Sequence, residues 1–107
     1  MADPNKSVDY IFKNGKKFAK AKAERIYLEE YRKSLKAILM KRSVENAIGA
    51  QERDAYAHEE YLALLQGLKA AVEVEEELRW ALIAAQARVE IWRSQEATNR
   101  VEGKVTI

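Results

Sequence analysis

Apolar positions recur along most of this chain at helical spacing, with few breaks. From His58 to Asn99 the residues Leu64, Leu68, Ala71, Leu78, Leu82, Ala85, Val89 and Trp92 follow alternating steps of three and four. Glu75 is the one polar residue in that register. Such a row is the seam of a coiled-coil-like helix, and the spacing predicts one long helix over 58–100. A second helical arm is predicted over 7–42, with Ser7 as N-cap and Asp9 in the first turn, where the helix dipole favours a carboxylate. Val8, Ile11 and Phe12 form its first apolar stripe, and Asn14-Gly15 is expected to end or bend this short N-terminal segment. Further along, the apolar face switches sides. Val8, Ile11, Phe12, Ala19, Ala23 and Ile26 project one way, while Tyr27, Leu28, Tyr31, Leu35, Ile38 and Leu39 project nearly oppositely. Either the arm bends near Gly15 or its two ends bury against different neighbours.

Residues 43–57 (SVENAIGAQERDAYA) carry a weaker helical pattern interrupted by Gly49, and are read as a connector or short helix. Residues 101–107 close the chain as a tail expected to fray. The fold expected is all-α: a long antiparallel helical hairpin with a short N-terminal helical segment, in a single domain of 107 residues.

One proline and four glycines leave little punctuation for a many-stranded fold. With 48% apolar and 34% charged residues, the chain is too apolar for a disordered protein. Cysteine is absent, which removes disulfides and thiolate chemistry. The leading MADPNKSVDY lacks the apolar run of a signal peptide, and no stretch of about 18 apolar residues occurs, so a cytoplasmic protein without membrane association is expected.

The net charge of +2 conceals a polarity. Residues 1–42 hold twelve Lys/Arg against five Asp/Glu, whereas residues 43–107 hold seven against twelve. Two consequences are compatible: the halves fold back on one another, or the basic half meets an anionic partner. Lys13, Lys16, Lys17 and Lys20 share a face across two turns, with Arg25 further along and Tyr10, Phe12, Phe18, Tyr27 and Tyr31 interleaved. Lysines so spaced can contact successive phosphates, and these five basic residues are the candidate nucleic-acid-binding set. No zinc finger or other reader motif accompanies them.

In the segment 78–92 (LRWALIAAQARVEIW), eleven of fifteen residues are apolar. A helix apolar over most of its circumference needs more cover than one hairpin partner provides. Leu78, Trp80, Leu82, Ile83, Val89, Ile91 and Trp92 are therefore the candidate interface of a homo-oligomeric helical bundle. Arg88 projects toward the apolar side, either snorkelling or pairing with Glu24, Glu29 or Glu30.

Catalytic signatures are lacking: there is no glycine-rich phosphate loop, no cysteine nucleophile and no zinc-ligand cluster. His58, the single histidine, stands where the long helix is predicted to begin. Glu73, Glu75, Glu76 and Glu77 read as a solvated acidic face, with Glu75 in reach of Arg79 at i+4. A non-enzymatic protein without cofactor or metal is expected.

The blocks KAKAERIYLEEYRKS, AQERDAYAH and AAQARVEIWRSQEA, within a likeness covering roughly residues 7–100, resemble a group of small helical proteins of tailed phages and prophages. That resemblance implies an accessory factor encoded among early genes for DNA replication and recombination, acting through nucleic acid or a recombination protein in the host-cell cytoplasm. Two other roles suit the same features: a protein inhibitor of a host nucleic-acid-processing or defence complex, of the anti-restriction or anti-CRISPR kind, and a structural adaptor.

Overall fold

A computed structural model describes the backbone of residues 3–106 and the side chains of residues 3–103. Three helices follow in order, α1 (Pro4–Arg42), α2 (Ile48–Ala57) and α3 (Glu59–Thr106), with no strand among the described residues. The all-helical class predicted from spacing is what the chain adopts. Among the described residues no helix is long and apolar enough to cross a membrane.

The start of α1 lies three residues ahead of the expected Ser7. Asp3 accepts a hydrogen bond from the Asn5 N–H at 2.9 Å through Oδ1, and its carbonyl receives the Lys6 N–H at 3.1 Å. Pro4 fits the first helical position because its missing N–H would have been unpaired there anyway. Ser7 sits inside the helix and is buried. Nor does Asn14-Gly15 break it. Asn14 Nδ2 donates back to the Tyr10 carbonyl at 2.9 Å, and Gly15 keeps a negative φ. The cost of one glycine, about 1 kcal/mol, is small beside the Ala/Lys/Glu-rich turns that follow.

Of the two alternatives the second holds, since the stretch of α1 ending at Ala19 and the stretch from Lys20 belong to different compact units, but the buried face itself does not switch. Ser7, Ile11, Asn14, Phe18, Ala21, Arg25, Leu28, Arg32, Leu35 and Leu39 form the row of buried or half-buried positions along α1. This row repeats in threes and fours and lies between the two apolar stripes read from sequence. Many stripe residues are in solvent instead: Phe12 is 75% exposed and Tyr27 62%. On α3, by contrast, the predicted row holds throughout. Tyr61, Leu64, Leu68, Ala71, Glu75, Leu78, Leu82, Ala85, Val89 and Trp92 are its buried or half-buried residues.

Contacts divide the chain into two compact units. One joins the stretch ending at Ala19 to the stretch beginning at Glu76; the other is Lys20–Glu75. In the second, Leu35, Leu39, Ala55 and Tyr61 make the core, with Met40 and Leu64 packed against it. Ala55 of α2 is fully buried. Between α1 and α2, the Ser43 hydroxyl donates to Asp54 and accepts the Glu45 N–H, while Gln51 Nε2 donates to the Glu45 carbonyl. The helix break between α2 and α3 falls at His58, whose ψ of 142° is extended. Its Nδ1 accepts the Glu60 N–H at 3.0 Å, so the imidazole caps α3. The tail expected to fray is helical as far as Thr106, and residue 107 lies outside the described residues.

Candidate nucleic-acid interface

Lys13, Lys16, Lys17 and Lys20 are all exposed on α1, where continuous helical spacing keeps them on one face away from the buried row. None of the four engages a carboxylate among the described residues. Lys16 Nζ lies 5.8 Å from the centroid of the Phe12 ring, a cation–π contact at the surface. The other basic residues that the structure ties down lie elsewhere. Lys33 binds Glu30 at 3.3 Å, Lys36 binds Glu52 at 3.1 Å, and Arg42 binds Glu60 at 3.0 Å. Part of the charge polarity is thus spent inside the fold, but the lysine row is not.

Arg25 belongs to the fold rather than to that row. Its Nε donates to Glu75 at 2.6 Å and its Nη2 to the other carboxylate oxygen at 2.9 Å, while Nη1 reaches Glu29 at 3.2 Å. Hydrogen bonding to Glu75 foremost holds the guanidinium pKa above its ordinary value, against the opposing effect of desolvation. Glu75 is 7% exposed and receives this bidentate pair. Arg79 pairs with Glu76 at 2.8 Å. Arg88 is exposed, and the carboxylates considered for it are partly taken, Glu29 by Arg25 and Glu30 by Lys33. No group of acidic or histidine residues suited to a metal ion occurs among the described residues.

The seven residues assigned to an oligomer interface fall on two faces of α3. Leu78, Leu82, Val89 and Trp92 are half-buried in the α3 row. Trp80, Ile83 and Ile91 are exposed, at 60%, 38% and 58%. Trp80 and Ile91, with exposed Ala84 and Ala87 between them, form a second row in steps of four and three, and Ile83 lies beside it. The apolar character of 78–92 therefore splits into a row facing its own unit and a row facing outward.

One concavity escaped the sequence reading. Arg32, Lys33, Lys36, Tyr56 and Tyr61 line a hollow of about 460 Å³ within the second unit. Contact with Tyr56 foremost, then with Glu52, raises the Lys36 pKa above its ordinary value and keeps the ammonium charged. The signal available in sequence was the seven-residue interval between Arg25 and Arg32, which puts both on one helical row. No family model, no curated protein and no solved structure matches the chain.

Proposed function

We propose that this chain is a non-enzymatic, oligomeric binding protein whose α1 lysine face contacts the phosphates of nucleic acid. The observation that carries the reading is that Lys13, Lys16, Lys17 and Lys20 are exposed and bound to no carboxylate among the described residues, although other lysines and arginines of the chain are in ion pairs. Charge left in solvent at regular spacing is what releases counterions from a phosphate backbone. The scaffold in this reading is an antiparallel helical hairpin, supported by Arg42–Glu60 and Arg25–Glu75, in which the partner's number rises as the α1 number falls. A second copy of the chain covers the outward row of α3, as its apolar residues favour. The likeness to phage proteins adds the setting: an accessory factor of phage DNA replication or recombination in the host cytoplasm.

Fluorescence anisotropy with labelled single-stranded and duplex DNA tests the lysine face. Binding should weaken with salt, with a slope of log K against log salt of about −0.9 per phosphate contact on duplex and about −0.7 on single strands. Reversing Lys17 and Lys20 to Glu should weaken binding to all sequences alike and flatten that slope, because phosphate contacts carry no base information. Absence of binding at low salt would overturn the reading and favour an inhibitor of a host complex.

A further inference from the structure

Arg25 and Arg32 stand seven residues apart on the buried row of α1, at equivalent positions of successive heptads. At the first position Glu75 supplies a bidentate carboxylate. One heptad before Glu75 on α3 is Leu68, which has no charge to offer. Arg32 accordingly has neither ion-pair nor hydrogen-bond partner among the described residues, although it is half-buried. Its guanidinium nitrogens still reach solvent, so an incoming oxyanion can take the whole fork without displacing an internal partner.

The surroundings reinforce the demand for negative charge. Lys33 and Lys36 flank Arg32 in the same hollow. The two carboxylates beside them, Glu30 and Glu52, are each bound to one of these lysines and neither is paired with Arg32. The hollow also has an aromatic wall. Tyr56 is 46% exposed, and its ring meets that of buried Tyr61 edge-on at 5.2 Å. Lys36 Nζ lies 4.7 Å from the Tyr56 centroid, tying the ammonium to the same wall. A volume of about 460 Å³ is in the ordinary range for small-molecule sites.

We infer that this hollow binds a nucleotide unit, its phosphate held by Arg32 with Lys33 and its base lying against Tyr56. The planar fork of a guanidinium matches two phosphate oxygens, and an aromatic ring is a sequence-tolerant partner for a base. The ligand chemistry, a phosphate ester carrying an aromatic ring, is shared by a free mononucleotide and by one residue of a single strand. The site goes beyond the lysine face and does not depend on it, since it uses none of Lys13, Lys16, Lys17 or Lys20.

Amide NMR titration of the full chain at low salt, with adenosine monophosphate, a short oligothymidylate and inorganic phosphate as separate probes, tests the site. Both nucleotide probes should move the resonances of Arg32, Tyr56 and Tyr61. Arg32→Gln should weaken them about tenfold or more, the scale of a lost charge-assisted hydrogen-bond pair. Because Arg32 forfeits no internal partner, that variant should melt no lower than wild type. Tyr56→Leu should weaken adenosine monophosphate but leave inorganic phosphate unchanged, which keeps the idea testable if one variant folds poorly. A strand bound much more tightly than the mononucleotide, with the same Arg32 dependence, assigns the site to nucleic acid; equal affinity assigns it to free nucleotide. Unmoved Arg32, Tyr56 and Tyr61 resonances, or an Arg32→Gln protein that binds like wild type, would overturn the inference. Reversal of Lys17 and Lys20 should leave mononucleotide binding intact, so failure of the lysine face and failure of this hollow are separate results.

Discussion

Arg25 and Glu75 are fifty residues apart in sequence and share two hydrogen bonds in a row otherwise rich in Leu and Ala. A pair of this kind returns through attraction what it loses in hydration, so its worth is in the match between partners more than in net stability. Removing one member is the damaging change. Arg25→Leu takes the guanidinium from a carboxylate that is 7% exposed, and Glu75→Leu leaves the Arg25 guanidinium with Glu29 and without its bidentate acceptor. Each single variant should lower the melting temperature measured by circular dichroism, and the double variant should melt above both. Additive losses in the double variant would show that the two side chains do not act as a unit. Arg32 offers the contrast one heptad along, where the same residue type has no such partner to lose.

At the scale of the helix, α1 runs unbroken through a position at which the sequence advised a bend. A Cβ added at Gly15 would meet nothing within 4 Å, and its φ is not in the left-handed region. Gly15→Ala should therefore stabilise the protein, by up to about 1 kcal/mol in urea denaturation, through helix propensity and a less mobile unfolded chain. A destabilised variant would restore Gly15 as a hinge. The reason α1 was hard to read lies in its residues. Its buried row includes Ser7, Asn14, Arg25 and Arg32, which any apolar pattern scores as surface, while Val8, Phe12 and Tyr27 are apolar and exposed. The α3 row was legible because Leu, Ala, Val and Trp fill nearly every step of it. The site divides likewise. The lysine row is a matter of spacing on one helix and can be seen in the chain. The hollow around Arg32 depends on which carboxylate each cation meets across α1, α2 and α3, and no linear pattern states that.

For the molecule as a whole, the outward row Trp80, Ala84, Ala87 and Ile91 is the feature that calls for a second copy. Light scattering should return at least twice the 12.3 kDa of one chain, and Ile91→Glu should return a monomer or insoluble protein. A stable wild-type monomer at about tens of micromolar, an ordinary working concentration for a specific interface, would rule this out. The two tryptophans supply an optical record of the same event. Trp80 is on the outward row, 60% exposed and stacked by Arg79 at 4.8 Å, whereas Trp92 is half-buried in the inner row. Covering the outward row would dry one indole and leave the other as it was. In a Trp92→Phe protein, whose remaining tryptophan emission comes from Trp80 alone, that emission should move to shorter wavelength as the chain is concentrated. The colour of one side chain would then report how many chains stand together.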